Sequence, residues 1–426
     1  MIWISIFSLL FILMIILSKA CFGAIKNPIS IFCLLWCFIG IGANCSFYDY
    51  YKPSTFVNFI ILITCILSFL IYAILLKGYN KFFFINNLNI EDGFVNIKRV
   101  VTINLIFMIL LIPYIIQSIN ILINGGFSLL RAQDIIDNGL LAVVNDSIIR
   151  PTFVATTILA IVYSCTKAKK KDKLLLITVS IVTNIEQVIL TAGRSYFVNF
   201  IFYLIITIIL FYGKNILSLL YHGRRFIILA IIGIVIVLKI TAQRSMSTTE
   251  NMFLYNAYVY YFSGPSYLTQ LLKYINSYGI NGKLLYGAAS FGFLSNIISN
   301  ILIYITGKPQ GSLYLLGSVI SNNQYSVGSH TLINAMYTCF YPFLIDYGWL
   351  GIIICPIFIG VGSAIITKRL YRNRNVFNTS LYIYWIYVLI RTVFKWDLVN
   401  IDLTVVIIVL MYFTKHSFQN YDYIEY

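Results

Sequence analysis

What most limits the fold open to this chain is a series of apolar runs, each near the roughly 20 residues that a helix needs to cross a bilayer. They fall at 1–17, 29–47, 55–76, 100–123, 151–166, 174–191, 196–213, 226–242, 347–367, 380–395 and 398–413. Composition agrees with that reading. Hydrophobic residues make up 60% of the 426 and charged residues 10%, whereas the charged share of a soluble domain is about a quarter. A soluble globular protein is excluded, and the predicted class is an all-α polytopic membrane protein with about 11 transmembrane helices. The chain is apolar from Met1 with no basic segment ahead, so the first run reads as a span and not as a cleaved signal peptide.

The formal net charge is +16. A basic face for nucleic acid would be continuous, but here the lysines and arginines form short clusters bordering apolar runs, which is the positive-inside pattern. Nucleic acid is therefore not an expected partner. Alternate connections hold 19 basic residues, among them Lys77, Lys167, Lys171, Arg225, Lys368 and Arg374, and the intervening ones hold 10 over far more residues. The dense set is predicted cytoplasmic. This orients the amino terminus outward, the carboxyl terminus inward, and the long polar stretch from Arg244 to Gly348 on the extracytoplasmic face.

The predicted organisation is an N-terminal bundle over 1–242, a large loop over 243–346 between the eighth and ninth spans, and a C-terminal bundle over 347–426. Within the loop, Leu284–Gly307 is uncharged and long enough to cross. A single crossing would carry Lys368–Arg374 outside, so the segment is expected to dip in and return or to lie along the interface. Leu294, Ile297, Ile298, Ile301, Leu302 and Ile305 form an apolar helical stripe there, with Ser295, Asn296, Ser299 and Asn300 opposite. Tyr267, Leu268, Leu271, Leu272, Tyr274 and Ile275 form a second such stripe. Both segments are predicted as helices lying at the membrane surface. The Gly-, Ser- and Asn-rich stretch between Gly307 and His330 has the composition of a mobile cover. The outer connection Asn124–Arg150 is amphipathic too, and reads either as a second wall or as an ordinary loop.

Two pentapeptides stand out, Thr191-Ala192-Gly193-Arg194-Ser195 and Thr241-Ala242-Gln243-Arg244-Ser245, each setting an arginine at the outer end of a span. An arginine beside a hydroxyl suits bidentate binding of phosphate oxygens; the alternative is snorkelling to lipid headgroups. Arg391, late in the tenth span, is a candidate third cation. Glu186 and Lys239 lie inside spans, where charge is rare and informative. They either neutralise each other, or Glu186 orients Arg194 or acts as a base. His330, in Ser329-His330-Thr331, is the one histidine on the predicted outer side. It is either structural or a base or phosphate ligand. Asp346 is a further candidate base or a cap on the following span. No P-loop, GxGxxG, HExxH or metal-type carboxylate cluster occurs, so no metal or cofactor is expected. The eight cysteines mostly sit in apolar runs as small hydrophobes.

The span order, Gly193-Arg194, the large second-half outer loop, and Asn334-Ala335-Met336-Tyr337-Thr338 followed by Asp346-Tyr347-Gly348-Trp349-Leu350-Gly351 resemble the Wzy-type O-antigen and oligosaccharide repeat-unit polymerases. These resemble the O-antigen ligases in fold and belong with the metal-independent glycosyltransferases of the GT-C type. The resemblance implies that outer-loop arginines (Arg194, Arg244, Arg391) bind the undecaprenyl pyrophosphate of a lipid-linked oligosaccharide donor. In the ligases a loop histidine is implicated as base, which implies His330 here; Glu186 and Asp346 remain the alternatives that the residues themselves offer. The resemblance implies membrane lipids and a chain-length regulator as partners, and a bacterial inner membrane with the active site facing the periplasm. Two alternatives stay open: an O-antigen ligase using the same donor, and a lipid-linked oligosaccharide flippase.

Overall fold

The computed structural model describes residues 1–79, 90, 94–133, 140–191, 193, 195–212, 228, 231, 252–277, 284–295, 298, 305, 324–329, 332–333 and 336–414. The chain divides into two compact units. One comprises Met1–Ile85, Thr249–Lys368 and Val388–Ile401; the other comprises Asn86–Thr248, Arg369–Tyr387 and Asp402–Tyr426.

The first unit opens with α1 (Ile2–Phe22), α2 (Pro28–Cys45) and α3 (Thr55–Leu75). Glycine ends α1: Gly23 sits at φ 75° and donates its N–H to the Lys19 carbonyl at 2.9 Å. Asn27 then caps α2 by accepting from the Ser30 N–H at 2.9 Å, with Pro28 just inside the start. Inside hydrocarbon, polar side chains bond across helices because water is absent. Ser18 thus meets Ser30 at 2.7 Å, and Asn44 donates to Asn58 at 2.9 Å. Later elements are α9 (Met252–Phe262), α10 (Gly264–Ser277), strands β1 (Tyr325–Ser326) and β2 (Leu332–Ile333), α11 (Phe340–Tyr347) and most of α12 (Gly351–Arg372). A Cβ on Gly42 would lie 2.2 Å from the Phe262 ring, so α9 meets α2 where no side chain projects. Gly351 plays the same part in the reversal from α11 to α12, where a Cβ would fall 2.2 Å from the Phe343 carbonyl oxygen.

The second unit holds α4 (Ile97–Gln133), α5 (Leu140–Val144), a π-turn at Asn145–Ile149, α6 (Arg150–Ser164), α7 (Lys170–Thr191), α8 (Ser195–Tyr212), part of α13 (Val376–Arg391) and α14 (Asp402–Thr414). Leu111, Ile149, Phe153 and Leu190 form an apolar centre. Beside it runs a polar seam. The Ser180 hydroxyl and the Asn184 amide both reach the Thr157 hydroxyl, at 3.1 and 2.8 Å, and Gln187 donates to Asn145 at 3.2 Å.

Among the described residues, seven stretches are long and apolar enough to cross a membrane: Ile2–Phe22, Pro28–Cys45, Thr55–Leu75, Ile97–Asn124, Asn145–Ser164, Lys170–Thr191 and Phe340–Arg372. At three further predicted spans lie α8, α13 and α14, of 18, 16 and 13 residues. Of the predicted span 226–242 only residues 228 and 231 are described, and of Leu284–Gly307 residues 284–295, 298 and 305; the stretch from 306 to 323 lies outside the described residues.

One expectation is corrected. The apolar stripe of α10 was read as facing a bilayer surface, yet Tyr267, Leu268 and Leu271 are fully buried and the helix packs on α2, α3 and β1. Its hydroxyls explain the difference. Ser266 donates to the Tyr51 carbonyl at 2.5 Å and Thr269 accepts from the Ser54 N–H at 3.0 Å, so the segment after α2 is laced onto this helix.

Within each unit, contacts pair connections that the charge count assigns to one side. Tyr51 N–H donates to the Val327 carbonyl at 2.9 Å, and Lys368 lies 5.6 Å from the Tyr79 ring centroid. In the second unit Arg99 lies 5.2 Å from the Tyr412 ring centroid, and Arg150 meets Asp402.

Candidate functional site

Several segments of the first unit gather around a short pair of strands. β1 and β2 pair antiparallel, Tyr325 opposite Ile333 and Ser326 opposite Leu332. His330 falls between them in sequence and lies outside the described residues. The residues after β1 are fixed to the chain after α2, through the Tyr51–Val327 bond and a bridge between Tyr50 and Gly328. Tyr267 packs edge-on against Tyr325, with ring centroids 5.3 Å apart.

Asp346, near the end of α11, is fully buried. Its Oδ1 accepts from the Ala289 N–H at 2.9 Å, and its Oδ2 accepts from both the N–H and the hydroxyl of Ser290 at 2.5 Å. Two backbone bonds run alongside, Leu285 N–H to the Ile345 carbonyl and Tyr286 N–H to the Asp346 carbonyl. The Ser290 carbonyl then accepts from the indole of Trp396 at 3.0 Å, and that buried ring packs on Phe343 at 5.4 Å. Chemically this carboxylate is a tie. Its lone pairs are committed to donors that fix residues 284–291 against α11, which leaves little capacity to take a proton from a substrate.

Arg391 closes α13, where a cation suits the carbonyl end of the helix. Its Nη1 lies 3.2 Å from Oδ1 of Asp397, with the arginine side chain 23% exposed and the aspartate 1%. The pair is a neighbour of Trp396 in sequence, so the Asp346 tie and this ion pair share one connecting segment.

Glu186 belongs to the second unit, on α7. It is buried, and its Oε2 has no hydrogen-bond partner among the described residues; the adjacent Gln187 Oε1 is likewise bare. Arg194 lies outside the described residues. α7 ends at Thr191 and α8 starts at Ser195, and Gly193 donates its N–H to the Thr191 hydroxyl at 3.1 Å. A Cβ at Gly193 would fall 2.7 Å from that hydroxyl, so the close approach to Thr191 needs a glycine there. Arg244 and Lys239 also lie outside the described residues.

Among the described candidates, Asp346 and Arg391 fall in the same unit and Glu186 in the other. The sequence reading missed two groups. Arg150 served only in the charge count, yet its Nη2 meets both oxygens of Asp402 at 3.2 and 3.1 Å, and its Nη1 meets Asp146 at 3.2 Å. The i, i+4 spacing of Asp146 and Arg150 was the available signal; Asp402 is too distant in sequence to have been paired. The other group is a set of aromatic rings after α2. Tyr258 holds it by accepting from the Phe47 N–H at 3.1 Å and donating to the Gly42 carbonyl at 2.9 Å. Burial pushes the Tyr258 hydroxyl up to about 12, so it keeps the proton it donates.

These features define an all-α, multi-pass membrane protein whose helices are tied at their ends by polar contacts. No family model, curated protein or solved structure matches the chain.

Proposed function

We propose that this protein is a polymerase of lipid-linked oligosaccharide repeat units, acting at the outer face of a bacterial inner membrane. It would transfer the growing glycan from undecaprenyl pyrophosphate to the non-reducing sugar of a new lipid-linked unit. The acceptor oxygen bonds to the anomeric carbon, the bond from that carbon to the pyrophosphate breaks, and the pyrophosphate leaves with the electron pair. The acceptor proton passes to a base. The reaction therefore needs cations on the leaving group and a base within hydrogen-bond reach of the acceptor.

The observation that supports this reading is the pairing of 325–326 with 332–333, held to the chain after α2 through Tyr51 and Val327, because His330 falls between those strands in sequence. With Asp346 engaged as a tie, the base falls to His330. Arg194 and Arg244 are assigned to the pyrophosphate clamp, with Arg391, paired with Asp397, as a third cation. A ligase would use the same donor and the same groups on a different acceptor. A flippase is the second reading, favoured by the polar seam on α7 and the bare Glu186 oxygen, since ionisable groups inside membranes commonly line transport paths.

The test is replacement of Arg194 and Arg244. Arg→Ala at either should abolish polymer while the folded protein remains in the membrane, a loss of about 10²–10³ in rate by analogy with oxyanion donors. Arg→Lys should keep partial activity, because an ammonium cannot make the bidentate contact. Single capped repeats should persist. Normal long chains from the double alanine variant would overturn the clamp, loss of every capped form would favour the ligase, and unflipped precursor on the cytoplasmic side would favour the flippase.

A further inference from the structure

The rings at residues 47–51 are held in a way that core packing alone does not require. Ser46 and Tyr48 both adopt left-handed backbone, at φ 53° and 59°. That region is disfavoured for tyrosine, and strained non-glycine residues persist where the surroundings over-determine them, often at binding sites. Here the surroundings are named: Tyr258 fixes the Phe47 amide, Ser266 binds the Tyr51 carbonyl, and Val327 accepts from the Tyr51 amide. The strained backbone nonetheless turns rings outward. Phe47 is 59% exposed, and Tyr48 and Tyr51 are each 46% exposed.

Ring geometry points the same way. Tyr48 meets Tyr255 at 5.5 Å with planes 87° apart, and meets Tyr258 at 5.6 Å and 63°. Edge-on pairs leave ring faces unused by one another. The neighbouring strand pair contributes polar groups, with Gln324, Ser326 and Ser329 exposed. A flat apolar face rimmed by hydroxyls and an amide complements a pyranose ring, which has an apolar C–H face and an equatorial fringe of hydroxyls.

We propose that Phe47, Tyr48 and Tyr51, backed by Tyr255, form a saccharide-stacking subsite that holds the acceptor sugar beside residues 327–329. The proposal rests on the polymerase reading for the word acceptor, and on the ring geometry for the saccharide. It assigns specificity to the loop between α2 and α3, a segment separated by almost three hundred residues from the residues that it serves.

The experiment uses the full-length protein in detergent micelles and the oligosaccharide repeat released from its carrier by mild acid. Saturation-transfer NMR reads binding, and the same preparations are assayed for elongation of the intact lipid-linked repeat. Tyr51→Ala and Tyr48→Gly remove a ring each; glycine is chosen at position 48 because it accepts the positive φ. Each should weaken the glycan signal and raise KM for the acceptor about tenfold, the scale of one lost ring contact, with kcat changed far less. Tyr51→Phe should retain both. Glycan binding by the wild type without elongation would support the subsite while sinking the polymerase reading. Elongation with unchanged acceptor KM in both ring-deleted variants would overturn the subsite and leave the polymerase standing. Loss of the glycan signal to phosphatidylglycerol vesicles, equally in the wild type and the variants, would assign the rings to lipid and also overturn it.

Discussion

Asp346 and Glu186 are both buried carboxylates on helices of membrane-length stretches, and the protein treats them in opposite ways. Asp346 receives three donors from a neighbouring turn. Glu186 keeps an oxygen with no hydrogen-bond partner among the described residues. A carboxylate saturated by backbone amides is part of the scaffold, because each donor it satisfies would otherwise be stranded away from water. A carboxylate left bare holds nothing in place, so its presence in an apolar helix points to charge pairing or chemistry. The same residue class, buried in both places, thus divides into a structural tie in the first unit and a functional candidate in the second.

The sharpest way to break this contrast is to delete both groups and compare stabilities. Asp346→Ala strands several donors and should cost about 3 kcal/mol or more, at roughly 1–3 kcal/mol per buried orphan. Heating in detergent with tryptophan fluorescence as readout suits it, because Trp396 sits one bond further along the same network. An unchanged midpoint would remove Asp346 from the scaffold. The middle-sized effect belongs to Arg150 and Asp402, which resemble Asp346 in being tied at helix ends. Their double-mutant cycle to alanine should give a coupling of about 1–3 kcal/mol, and additive single effects would reduce the pair to a surface contact. The smallest effect is expected of Glu186→Gln, within about 1 kcal/mol of wild type in stability. A larger loss would mean that Glu186 is a tie as well, and complete loss of lipid-linked precursor transport would promote the second functional reading.

Much of the helix framework could be read directly from the sequence, since apolar runs against sparse charge leave few alternatives. α1 to α3 lie within a few residues of the predicted runs, with Asn27 and Pro28 marking one start and Gly23 one stop. What could not be read is what polar groups do at a distance. Asp346 and its amide partners are separated by more than fifty residues, and Arg150 from Asp402 by 252. Local pattern carries no trace of such pairs. α10 shows the complementary error: its apolar stripe was correctly seen, but a stripe does not say whether lipid or protein covers it. The candidate bases illustrate the limit at the site itself, because Asp346 and Glu186 look alike in sequence and differ only in which donors the fold brings to them.

Whether the protein joins repeat units is measured most directly with purified full-length protein in liposomes and undecaprenyl-pyrophosphate-linked oligosaccharide repeats as the sole added substrate. The predicted result is a ladder of products lengthened by whole repeats, released undecaprenyl pyrophosphate in equal number to the bonds formed, and no ladder from the Arg194→Ala, Arg244→Ala double variant. Repeats moved across the bilayer with no increase in length would contradict it.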